Sequence, residues 1–153
     1  MKIILFAFFI VSNSAFAARL QIQQNLVIEN SDLKSSFNLI NQLNAYTLSE
    51  KIDDKNKVSV LVLKAKAPTI ANKSSIDRIW TQDKPTNKII KENGCQRIKS
   101  AHFECNRIIA KKNKYQAQRL IWIDKKPMVY LMVDHINNSQ IASKYVDSFK
   151  VLE

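Results

Sequence analysis

Between Tyr115 and Ile123, polar Gln116, Gln118 and Arg119 give way to the apolar run Leu120-Ile121-Trp122-Ile123. After the turn residues Asp124-Lys125-Lys126-Pro127 the pattern resumes from Met128 to Ile136. In that second run Val129, Leu131 and Val133 fall on one face and Met128, Tyr130 and Met132 on the other, the period of two expected of a strand. Two such runs joined by four residues predict an antiparallel hairpin. Asn138-Ser139 then supplies a helix N-cap. Ile141, Tyr145, Phe149 and Leu152 recur at helical spacing beside Ala142 and Val146, so a closing helix is expected to pack its apolar face on the hairpin.

Upstream, Ala18 to Glu29 predicts one strand or a pair of short ones, stopped by Asn30-Ser31-Asp32. Leu33, Phe37, Ile40 and Leu43 lie at helical spacing and predict a short helix. Ala45 to Ile52 is a strand, Asp53 to Lys57 a polar turn, and Val58 to Ala67 a β-branched central strand ended by Pro68. Asn72 to Asp83 predicts a helix capped by Ser74 or Ser75, with Ile76, Ile79 and Trp80 on one side. Ile89 and Ile90 extend that apolar face beyond Pro85 as far as Gly94, the only glycine, which reads as a left-handed C-cap. Cys95 to Ser100 and Phe103 to Lys111 complete the strands. No repeat or low-complexity linker divides residues 18–153, which are expected to form a single α+β domain: an antiparallel β-sheet with a middle helix and a C-terminal helix packed on it.

Residues 1–17 have the three parts of a signal peptide: Lys2, the apolar run Ile3 to Val11, and Ala15-Phe16-Ala17 as a small-x-small site, with the cut after Ala17. A periplasmic or secreted location is therefore expected. No later window stays apolar for the roughly 20 residues that a membrane-spanning helix needs. The chain carries 24 Lys and Arg against 13 Asp and Glu, a net charge of +11. Such a balance favours acidic partners such as lipopolysaccharide, a wall polymer or nucleic acid. Only the stretch from Arg107 to Lys126 is dense enough for a patch, which makes Arg107, Lys111, Lys112, Lys114, Arg119, Lys125 and Lys126 the candidate anion-binding set.

Two cysteines, Cys95 and Cys105, flank a presumed connection, and in an oxidising compartment one disulfide between neighbouring strands is the simplest outcome. A zinc site drawn from Cys95, His102, Cys105 and His135 fits no known zinc module, so neither metal nor cofactor is expected. Ser100 or Ser139 with His135 and Asp134 would furnish a hydrolytic constellation. No Gly-x-Ser-x-Gly elbow accompanies it, and one glycine argues against nucleotide cradles, so no catalytic residue is assigned. Tyr115, Trp122 and Tyr130 near Arg107, Arg119, Lys125 and Lys126 would suit single-stranded nucleic acid if exposed. A covered sheet face needs the same aromatics, and for Trp122 the core role is preferred.

The order of elements, ending in Tyr145-Val146-Asp147-Ser148-Phe149-Lys150, resembles the PsbP-like superfamily of α/β/α sandwiches, whose final helix closes in a similar hydrophobic-x-Ser-Phe-Lys signature. The resemblance covers mainly the last third of the chain. It implies a non-catalytic scaffold that works by binding other proteins, and it carries no functional residue over. Three functions follow as expectations: an exported protein that binds a protein or envelope component, a basic polyanion-binding protein, and an inhibitor or immunity protein for a secreted toxin.

Overall fold

The computed structural model describes residues 17–40, 44–67 and 72–153. The expected signal peptide, apart from Ala17, lies outside these residues, as do Leu43 and Pro68. The chain folds as β1 (Ala18–Gln23), β2 (Leu26–Asn30), β3 (Asn38–Ile40), β4 (Ala45–Lys51), β5 (Lys57–Ala65), α1 (Lys73–Gln82), β6 (Lys88–Lys99), β7 (His102–Lys111), β8 (Lys114–Ile123), β9 (Met128–His135), α2 (Ser139–Ser148) and β10 (Lys150–Leu152). Seven strands form one antiparallel sheet in the order β3-β4-β5-β9-β8-β7-β6, and β1-β2-β10 form a second. The architecture is α+β and mainly sheet, as expected, with the β8–β9 hairpin near its middle.

Alternation sorts the large sheet into two faces. Val58, Val60 and Val62, Ala117, Ile121 and Ile123, and Val129, Leu131 and Val133 face α2 and the small sheet, joining Leu20, Ile28, Ala142, Tyr145 and Phe149 in one buried cluster. Leu120, Trp122, Met128 and Tyr130 point the other way and join Phe103, Cys95 and Cys105 under Ile76 and Trp80 of α1. One helix thus covers each face. Both begin on an asparagine: Asn72 accepts from the Ser75 amide, and Asn138 from the amides of Gln140 and Ile141. For α1 this replaces the expected Ser74 or Ser75 cap.

Three further expectations fail, each for a physical reason. Leu33 and Phe37 do not belong to a helix. They anchor an extended segment, Leu33 in the core and Phe37 against Phe149, whose Lys34 and Ser35 amides donate to Glu50, and Ile40 ends the short strand β3. Ile89 and Ile90 lie in β6 and not in a continued helix. The β6–β7 register slips between Ile89 and Lys91, Glu92 and Gly94, and Arg97 and Lys99, and each slip erases the alternation that marks a strand. Gly94 sits at one slip with φ +66°, which favours glycine as a C-cap would, but in a bulge. Leu152 is not on the α2 face, because the helix ends at Ser148, Phe149 is extended, and Lys150 to Leu152 pair with β2.

Cys95 and Cys105 are directly paired residues of β6 and β7 and are disulfide-bonded. The bond fixes the bulged edge strand beneath α1. Replacing both cysteines by serine is expected to cost about 2–3 kcal/mol, the loop-closure value for a separation of ten residues. Urea denaturation measures it, and hydrogen exchange should place the loosening in β6 and α1 and not in α2.

Candidate functional site

A helix C-terminus leaves carbonyls without partners inside the helix. In this fold two arginines on adjacent strands supply those partners. Arg107 of β7 is 3% exposed and lies on the α1 face. Its Nη1 donates to the Trp80 carbonyl (3.2 Å), its Nη2 to the Asp83 carbonyl (2.7 Å) and its Nε to Gln118 Oε1 (2.7 Å), and the guanidinium lies 3.9 Å from the Trp80 ring centroid. Burial lowers its pKa, against the opposing pull of Tyr130, Glu92 and Asp83. Arg119 of β8 is its counterpart on the α2 face. Nη1 donates to the carbonyls of Val146 (3.3 Å) and Phe149 (2.8 Å), while Nε donates to Glu104 Oε2 (2.7 Å).

The candidate anion-binding set is therefore divided. Arg107 and Arg119 are internal, their donors committed to helix ends. Lys111, Lys112 and Lys114 lie at the β7–β8 turn, whereas Lys125 and Lys126 lie at the β8–β9 turn. The ten-residue β8 separates the two turns by about 30 Å. Lys114 pairs with Asp134, and Lys126 donates to the Asn25 carbonyl. Trp122 is fully buried beneath α1, so it offers no stacking surface.

The hydrolytic constellation is not assembled. Asp134 and His135 are neighbours in a strand and point to opposite faces. Asp134 accepts from Lys114 and Gln116, while His135 Nδ1 accepts from the Asn137 and Asn138 amides. The zinc set is excluded as drawn: Cys95 and Cys105 are oxidised, and His102 and His135 face residues at opposite ends of β8, Ile123 and Tyr115.

What the arrangement does create is a half-face that no helix among the described residues covers. Helix α1 packs on β6 and β7 and leaves Thr47, Ser59, Leu61, Leu63 and Met132 partly exposed. Met132 lies between two adjoining depressions, of about 240 Å³ beside Leu63, Asp83 and Tyr130 and about 390 Å³ beside Thr47, Ser59, Leu61 and Gln116. Beneath them runs a chain of hydrogen-bonded polar groups. Gln118 accepts from Arg107 and donates to Gln116 (2.7 Å), Gln116 donates to Asp134 (2.7 Å), and Tyr130 Oη donates to Asp83 (2.7 Å). Burial and the Asp83 carboxylate both push the Tyr130 phenol well above its ordinary pKa. With these groups bonded to one another, the apolar side chains are what the surface offers a partner.

A second cleft, of about 390 Å³, opens on the α2 side between the β6–β7 turn and β10. His102 Nε2 lies 2.8 Å from Glu104 Oε1, and Glu104 Oε2 lies 2.7 Å from Arg119 Nη2, so an imidazole, a carboxylate and a guanidinium stand in line, all nearly buried. Sequence reading named His102 and Arg119 but missed Glu104, although spacing of two within a strand puts Glu104 beside His102. It also missed Leu61, Leu63 and Met132 as a surface, since a run of apolar strand residues does not say which half a helix will cover.

No protein-family model matches the chain, and no curated protein matches it. Its functional reading therefore rests on the geometry of its own residues.

Burial works to raise the pKa of Glu104, but the His102 hydrogen bond and the Arg119 ion pair outweigh it and hold the carboxyl below its ordinary value of 4.5. A carboxylate depressed in this way stabilises the fold above its unfolded-state pKa and loses that contribution as pH falls through the folded value. Stability measured by denaturant between pH 3 and 6 should decline steeply below about pH 4.5. Glu104→Gln should flatten that decline while lowering stability at pH 7.

Proposed function

We propose that this chain is an exported, non-catalytic binding protein whose partner, a protein or an envelope component, docks on the uncovered half of the α1 face. The observation that carries this reading is the contiguous surface of Leu61, Leu63 and Met132, set in adjoining depressions over polar groups that are already bonded to one another. Recognition there is by shape and apolar contact, as at the centre of a protein interface. The leader-like start supports export. The resemblance to the PsbP-like superfamily supports a binding scaffold, as does an antiparallel sheet carrying one helix on each face. A net charge of +11 favours an acidic partner and faster encounter with it. An inhibitor or immunity role is the same reading with a secreted toxin as the partner.

Site-specific photo-crosslinking tests the surface. A photoreactive residue at Leu61 is expected to trap one discrete adduct in the native envelope fraction, and the same residue at exposed Arg19 of β1 is expected to trap none. Met132→Asp should lower the adduct yield at position 61 about tenfold or more, as loss of an interface anchor does. Equal yields at both positions, or no effect of Met132→Asp, would contradict the assignment, and the captured protein's identity separates a toxin from other partners.

A further inference from the structure

The carboxylate of Glu153 lies among two lysines and a histidine from three separate segments. Lys99 Nζ, at the end of β6, is 2.5 Å away, His102 Nδ1, at the start of β7, is 3.8 Å away, and Lys126 Nζ, in the β8–β9 turn, is 4.0 Å away. The β6–β7 and β8–β9 turns are tied to each other by the Asp124 amide, which donates to the Ala101 carbonyl (2.9 Å). The backbone that carries these side chains is therefore placed by the sheet and not by Glu153. His102 is 5% exposed, and its Nδ1 has no hydrogen-bond partner among the described residues. Its other nitrogen is engaged by Glu104, so the ring is fixed with Nδ1 toward the cleft.

The wall beside these groups is apolar, formed by Phe149, Val151, Ile98 and Leu152. Ile98 and Leu152 remain 53% and 38% exposed, so part of that wall is open to solvent. A cleft of about 390 Å³ falls within the range of small-molecule sites.

We infer that this cleft is an anion-binding site for a small organic acid, a carboxylate or phosphate monoester carrying an apolar tail, and that the Glu153 carboxylate holds the place of the ligand's headgroup. The oxyanion takes the positions facing Lys99 and Lys126, and the tail lies on Ile98, Val151 and Leu152. The hydrogen bond from Lys99 keeps the Glu153 carboxyl below its ordinary pKa, in keeping with the cationic surroundings. A tethered carboxylate competes as an intramolecular ligand, so an external acid has to displace it. This site is on the opposite side of the large sheet from the docking surface proposed above, and neither inference depends on the other.

Calorimetric titration with octyl phosphate and octanoate, each below its micellar range, tests the site in the wild-type protein and in Glu153→Gln. Removing the tethered competitor is expected to tighten octyl phosphate binding on the order of tenfold. Adding Lys99→Gln to that variant should reverse the gain. Both side chains are at the rim, so the fold should withstand their replacement. Inorganic phosphate should bind more weakly than octyl phosphate. Equal affinity for octyltrimethylammonium, no gain in Glu153→Gln, or indifference to Lys99→Gln would overturn the anion site, and equal affinity for inorganic phosphate would overturn the role of the apolar wall.

Discussion

Two guanidinium groups, one buried and the other nearly so, hold the helices of this protein against opposite faces of one sheet. The last carbonyls of a helix carry the negative end of its dipole, so a cation there is favoured both by charge and by hydrogen bonding. Arg107 and Arg119 sit on neighbouring strands, and alternation sends one guanidinium to each face. Each bonds to two carbonyls at the end of a helix and to one side-chain partner, Gln118 or Glu104. A buried charge is tolerated only when so paired. Asn30, fully buried, reinforces the α2 end by donating to the Tyr145 carbonyl and the Ser148 hydroxyl. At the abrupt change from helix at Ser148 to strand at Lys150, these donors take up carbonyls that the helix leaves without partners.

The same constraint decides what is left for function. Drawing α1 toward β6 and β7 covers the disulfide and Trp122 but leaves Leu61, Leu63 and Met132 open. Joining Glu104 to Arg119 fixes the carboxylate that in turn orients His102. Both candidate surfaces thus begin where an arginine clamp ends. The densest basic stretch of the sequence is divided by the fold: it runs through two interior positions and to turns at opposite ends of a strand.

Much of this was legible from residue order, and the failures share a cause. The β8–β9 hairpin, the start of α2 and the cysteine pair were readable because each is a local pattern, an alternation, an asparagine cap or an even pair of thiols. Strand β6 was not, because three register slips destroy its alternation and leave Ile89-Ile90 looking like part of a helical face. Leu33 and Phe37 misled similarly, being tertiary anchors that fall at helical spacing while their backbone is tied to Glu50, sixteen positions from Lys34. The roles of Arg107 and Arg119 were not readable either. A charged residue inside an apolar strand looks like surface until the helix it serves is placed, and that placement is set by contacts across 24 to 30 positions.

Hydrogen exchange in Arg107→Met and Arg119→Met tests the clamp most directly. If each arginine secures its own helix, Arg107→Met speeds exchange in the last turn of α1 roughly 30-fold, the equivalent of about 2 kcal/mol of lost charged hydrogen bonding, and leaves α2 protected. Arg119→Met does the reverse. Unchanged protection in both variants, or loss in both helices together, would contradict the account.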